Sequence, residues 1–158
     1  IQISMGWTGD HLFEFIVDNY SIRNHEDYSE DLESFADAKR VEVDTLLDKE
    51  RIILDYVYDF GDQWVHKIEV EKVKIEMKDK LLLKCIGGEQ NCPPEDSGGV
   101  YRYYYLLEIL SDESDPEHED MKEWVGGTFN PNKISITRIN SRLKKLGDLI
   151  LERRERLK

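Results

Sequence analysis

Apolar residues occupy every second position from His11 to Val17, with Phe13, Phe15 and Val17 on one side. That alternation predicts a short strand over 12–17. Ile52-Ile53-Leu54-Asp55-Tyr56-Val57-Tyr58 is rich in β-branched and aromatic side chains and predicts a second strand. The Gly-containing turn Asp59-Phe60-Gly61-Asp62-Gln63 follows, then a long third strand from Trp64 to Ile75, so that the two strands form a β-hairpin. Trp64, His66, Ile68 and Val70 share one face of the third strand, after which the apolar phase slips to Val73, Ile75 and Met77. A phase slip changes the buried face, so a bulge or bend is expected near Glu71-Lys72. A further strand over Leu81–Ile86 is expected after the polar turn Met77-Lys78-Asp79-Lys80, whereas Ser21–Ala38 is polar and reads as a loop.

The pattern then lengthens to helical spacing. Tyr101–Leu110 predicts one helix. Asp115-Pro116 supplies an N-cap and a first-turn proline for a second, which Gly126-Gly127 ends. The last helix starts near Ser135 or Thr137, and Ile136, Ile139, Leu143, Leu146 and Ile150 mark a narrow packing stripe along it. Ile1 to Trp7 opens on apolar residues without a cap, as the end of a helix whose beginning is missing would. Together these elements predict an α+β fold: an antiparallel-dominated sheet with a long hairpin, helices packed on one face, and a helical C-terminal third. A chain of 158 residues suits one domain, 1–158.

Charge refines this picture. The net charge is −12, but residues 138–158 carry +5, leaving −17 on residues 1–137. An acidic body disfavours nucleic acid and anionic membranes, since phosphate contacts require clustered Lys and Arg. No apolar run reaches the ~18 residues that cross a bilayer. Two cysteines are too few for a disulfide scaffold and fit a reducing, cytoplasmic setting. The basic final helix has two readings: a solvated face drawn to its own acidic body, or a surface that docks an acidic partner or a second copy. The docking residues would be Arg138, Arg142 and Lys145, with Leu143 and Leu146.

Candidate chemistry concentrates in Cys85–Gly99, which holds four glycines, two prolines and both cysteines. Such backbone constraint marks a tightly defined loop, either closed by its own packing or holding a ligand. Cys92, Glu95 and Asp96 are its candidate binding groups. Asp59 and Asp62 accept turn amides or, with His66, rim a pocket that also takes in His11, Trp64 and His118. Zinc prefers cysteine pairs two to four residues apart, and Cys85 and Cys92 are separated by six, so His66, Cys85, Cys92 and His118 are ingredients for a metal site without a zinc signature. His66 on an apolar strand face reads first as a hydrogen-bonded core residue, and His118 as a surface residue of an acidic helix. Asp59-Phe60-Gly61 lacks every other kinase element, and no hydrolase elbow is present.

Four stretches carry a family resemblance. They are Met5-Gly6-Trp7 with His11-Leu-Phe-Glu-Phe15; Tyr56 through Glu69; Cys85 through Gly99; and Asp115 through Gly126. In this order they resemble the plasmid pRiA-type ORF-three-like family, also described as insertion-element passenger TnpR-like proteins. The resemblance implies a single α+β domain of undetermined activity, sometimes encoded beside mobile elements, with a strand and helix start ahead of Met5. The chain departs from the family at Phe13, where a second histidine is usual, and at Val100–Tyr105, where a Gly-Tyr pair is usual.

Without a complete catalytic constellation, the expectation is a non-catalytic binding or interaction module with no assigned cofactor. The alternative is a metal-assisted hydrolase in which Asp59, Asp62, His66, Cys92, Glu95, Asp96 and His118 converge on a divalent ion. Either reading needs the hairpin tip and the Cys85–Gly99 segment to come together.

Overall fold

The computed structural model describes residues 1–18, 20–24, 35–42, 52–71 and 83–156. Along the chain come α1 (Gln2–Met5), β1 (Phe13–Val17), β2 (Tyr20–Arg23), β3 (Phe35–Asp37), β4 (Ile53–Tyr58) and β5 (Trp64–Glu69). Three helices follow: α2 (Gly99–Ser111), α3 (His118–Trp124) and α4 (Ile136–Arg156). The strands form one sheet in the order β3-β2-β1-β4-β5, antiparallel except where β2 meets β3. The fold is α+β, its sheet mostly antiparallel.

Register explains the core of the sheet. Phe13 lies opposite Tyr58 and Tyr58 opposite Trp64, while Phe15 lies opposite Tyr56 and Tyr56 opposite His66. Cross-strand partners share a face, so two aromatic rows run across β1, β4 and β5. Tyr56 and Tyr58 are fully buried, and the Phe15 and Tyr56 rings stand 4.8 Å apart. Each such ring pair contributes roughly 0.5–1.5 kcal/mol beyond its buried area. On β5 the alternate residues Val65, Lys67 and Glu69 are exposed.

Several sequence expectations need correction. The Ser21–Ala38 stretch is not all loop, because it contributes most of β2 and all of β3. Its strand signal is weak because Ile22 alone is buried in β2; four backbone pairs join it to β1, and Arg23 Nε bonds Glu14 Oε1 at 2.9 Å across that ladder. The strand expected over Trp64–Ile75 ends at Glu69, and Val70 and Glu71 are irregular. Lys72–Ile75 and the turn at Met77–Lys80 lie outside the described residues. Residues 83–86 of the expected Leu81–Ile86 strand are not in a strand, and Leu81 and Leu82 lie outside the described residues. The helix expected to follow an Asp115 N-cap at Pro116 begins at His118, because Asp115 caps a preceding turn in which its carboxylate accepts the Glu117 N–H and its carbonyl the His118 N–H.

The chain divides into two compact units. The sheet unit comprises Asp10–Glu76 with Gly98–Val100, and the helical unit comprises Ile1–Gly9, Met77–Ser97 and Tyr101–Lys158. Each unit holds its own candidate residues.

Candidate functional site

In the sheet unit, the turn between β4 and β5 is built by Asp59. Its backbone takes φ 58°, and its Oδ1 accepts the Gly61 and Asp62 N–H groups at 2.9 and 3.3 Å. The other carboxylate oxygen faces His11 Nδ1 at 3.7 Å, and the His11 ring packs edge-on against Tyr58. Asp62 Oδ2 accepts the Gly98 N–H at 2.9 Å, so the hairpin tip does meet the end of the glycine-rich segment. The approach is close enough to require glycine: a Cβ on Gly99, at φ +76°, would stand 2.5 Å from the Asp62 carbonyl oxygen. Trp64 is buried in the sheet, and His66 Nδ1 donates to the Tyr56 carbonyl at 3.1 Å. His66 is therefore a hydrogen-bonded sheet residue.

In the helical unit, the Cys85–Ser97 segment is held from two sides. Trp7 Nε1 donates to the Pro93 carbonyl at 3.0 Å, and Thr8 donates through N and Oγ1 to Glu95 Oε2, both at 2.8 Å. On the other side, Asn140 of α4 bonds both backbone groups of Cys85. Glu95 is therefore a structural acceptor. His118 corrects the expectation of a surface histidine: it is only 6 % exposed, and its Nδ1 donates to the Ile109 carbonyl at 3.0 Å. The turn that delays α3 carries it inward. Cys85 and Cys92 are both free thiols. Burial pushes the Cys92 thiol up to about 12, so it stays protonated at neutral pH and is no thiolate nucleophile. Among the described residues, none of His66, Cys85, Cys92 and His118 joins a cluster of three or more close ligand atoms.

A cavity of about 380 Å3 opens at the head of α4. Lys133, Arg138 and Arg142 line it together with Cys92, and Glu89 is the one acid among its lining residues. None of the three bases forms an ion pair among the described residues, although the chain has 34 acids against 22 Lys and Arg. Ser135 precedes the helix and its Oγ accepts the Arg138 N–H at 3.4 Å. The first-turn N–H groups that have no partner within the helix add positive potential to the same wall. The Arg142 guanidinium lies over Gly6, its Nη1 2.8 Å from where a Cβ there would stand, which ties α4 to the end of α1. Leu146 and Lys145 line a neighbouring groove with Ile3 and Trp7, so the apolar stripe of α4 is partly used inside the chain, and Leu143 is half-buried. The sequence points to Arg138 and Arg142; Lys133 escapes it because it precedes the helix and shares no periodicity with them.

The plasmid pRiA4b ORF-3-like protein family matches residues 1–138, and the chain belongs to that family. It is 33% identical over 150 residues to the uncharacterized protein y4hQ of Sinorhizobium fredii, covering 92% of this chain and 75% of that one. A crystal structure of the protein of unknown function MM3350 from Methanosarcina mazei Go1 is similar, with TM-score 0.69 and 29% identity over 86% of this chain and 76% of that one. No helix among the described residues is long and apolar enough to cross a membrane.

Proposed function

We propose that the chain is a non-catalytic binding module that takes an acidic protein segment on the head of α4. The carrying observation is the cavity where Lys133, Arg138 and Arg142 converge without ion pairs among the described residues. Arg138 and Arg142 stand one turn apart on the helix, a like-charge spacing that costs roughly 0.2–0.5 kcal/mol until an anion offsets it. Guanidinium groups accept carboxylates in bidentate geometry, which favours Asp and Glu side chains as the recognised groups. A second copy offers the same chemistry, because residues 1–137 carry −17. That net charge also disfavours nucleic acid as the partner. The two free thiols are consistent with a reducing cytoplasm.

The test is titration of a Glu-rich peptide into the full chain, with sedimentation of the chain alone. Saturable binding that weakens at least about tenfold when Arg138→Gln and Arg142→Gln are combined supports the reading. Self-association lost in the same double variant supports it with a second copy as partner. A chain that stays monomeric and ignores the peptide at ~1 mM removes it.

A second reading, metal-assisted hydrolysis, is favoured by one observation, the His11–Asp59 pair at 3.7 Å. An imidazole and a buried carboxylate side by side are apt for holding a divalent ion and its water. Elemental analysis after purification without chelator or affinity tag tests it, stoichiometric metal being the supporting result.

A further inference from the structure

We propose that a second cavity of the helical unit binds a small zwitterion with an apolar body, the chemistry of a free hydrophobic amino acid. This cavity, of about 540 Å3, lies between α2 and α3 and is distinct from the basic one at the head of α4. Its floor is Leu106 and Ile109, only 5 % and 2 % exposed, and its aromatic walls are Tyr105 and Trp124. Floor and walls of this kind hold an apolar group of a ligand.

The polar end is defined by the charged lining residues. Ser97 lines the cavity and is only 8 % exposed, yet its Oγ is buried without a hydrogen-bond partner. That hydroxyl lies within the wall, shielded from the cavity itself, so the recognition of a polar ligand rests on the exposed charged side chains. Arg102 and Glu117 line the same cavity with opposite charges, and neither forms an ion pair among the described residues. Asp96 adds a second carboxylate to the lining.

These charges select the ligand class. A bare amine would satisfy Glu117 and face Arg102 as a like charge; a bare carboxylate would satisfy Arg102 and face Glu117 as a like charge. A molecule with both groups satisfies both walls: its carboxylate takes the Arg102 fork and its ammonium takes Glu117, while its apolar body rests on Leu106 and Ile109.

Calorimetric titration of the full chain with phenylalanine, phenethylamine and 3-phenylpropionate separates the contributions. Phenylalanine should bind, and each singly charged analogue should bind at least about tenfold more weakly. Arg102 and Glu117 are both exposed, so their neutral variants should keep the native circular dichroism. Arg102→Gln should abolish the preference for phenylalanine over phenethylamine, and Glu117→Gln its preference over 3-phenylpropionate. No binding of phenylalanine or leucine up to ~10 mM would overturn the proposal. Equal binding of all three probes, or phenylalanine binding unchanged in both variants, would do the same.

Discussion

Asn140 meets Cys85 as a neighbouring strand would: its Oδ1 accepts the Cys85 N–H at 2.7 Å and its Nδ2 donates to the Cys85 carbonyl at 2.9 Å. One amide side chain thereby satisfies both backbone groups of a residue outside regular structure and anchors the start of the Cys85–Ser97 segment to α4. With a net worth near 0.5–1.5 kcal/mol per bond, Asn140→Ala should cost about 1–3 kcal/mol in urea unfolding. Asn140→Asp keeps the acceptor, loses the donor and sets a carboxylate against a carbonyl, so it should not rescue the loss. Stability within ~0.3 kcal/mol of wild type in both variants would show that the pair contributes little.

Gly99 and Asp62 make the second junction. Gly99→Ala forces an L side chain into positive φ, at about 1–2 kcal/mol, and drives its Cβ into a backbone oxygen at 2.5 Å. A total loss above roughly 2 kcal/mol is expected. Gly87→Ala is the control, since a Cβ there meets nothing within 4 Å, and should stay within about 0.5 kcal/mol. Equal effects of the two substitutions in thermal melts would contradict the close approach.

The Cys92 thiol sets a pH dependence. Its proton is held in the folded chain up to about 12, against an ordinary 9.0, because burial penalises the thiolate. Above pH 9.0 the unfolded chain therefore gives up this proton first, and stability falls between 9.0 and about 12. Tyr103 is pushed up too, first by burial and then by Cys92 and Tyr104, with the same sign. Below 9.0 the contribution is fully present, so the stability difference between wild type and Cys92→Ala should be constant with pH there, and above 9.0 wild type alone should lose this contribution as the pH rises. Alkylation by iodoacetamide near pH ~8 should be much slower at Cys92 than for free cysteine; an equal rate would contradict the buried, protonated thiol.

His118 serves α2 as a donor. Removing it leaves the Ile109 carbonyl without that bond and a void beneath α3, so His118→Ala should cost about 2–4 kcal/mol. A loss under ~0.5 kcal/mol on thermal unfolding would place the residue at the surface after all.

The hairpin and the helices are legible because their signals are strong and local. Phe13 and Phe15 alternate, Tyr56 and Tyr58 flank a β-branched residue, and Asp59-Phe60-Gly61-Asp62-Gln63 has no alternative to a turn. Arg23 pairs with Glu14 in the β1–β2 ladder and bonds its carboxylate across it, a charged pairing that hydropathy does not register. His118 is misjudged for a related reason: a Pro-Glu turn shifts the helix start by two residues and rotates an acidic-looking position inward. Of the nominated site residues, Asp62 accepts the Gly98 N–H, whereas Glu95 is taken up by Thr8 and His66 by the Tyr56 carbonyl. Arg138 and Arg142 stand out by helical spacing, but Lys133 and Arg102 acquire meaning only from cavities, which no periodicity encodes.

The central claim is that the head of α4 binds acidic groups through placed cations and not through bulk charge. Comparing Arg138→Gln with Lys144→Gln tests it most directly, because both remove one positive charge from an exposed position of α4 and only Arg138 lines the cavity. Titrated with the same Glu-rich peptide, Arg138→Gln should weaken binding about tenfold and Lys144→Gln less than about twofold. Equal weakening by the two substitutions, or none by Arg138→Gln, would contradict the account.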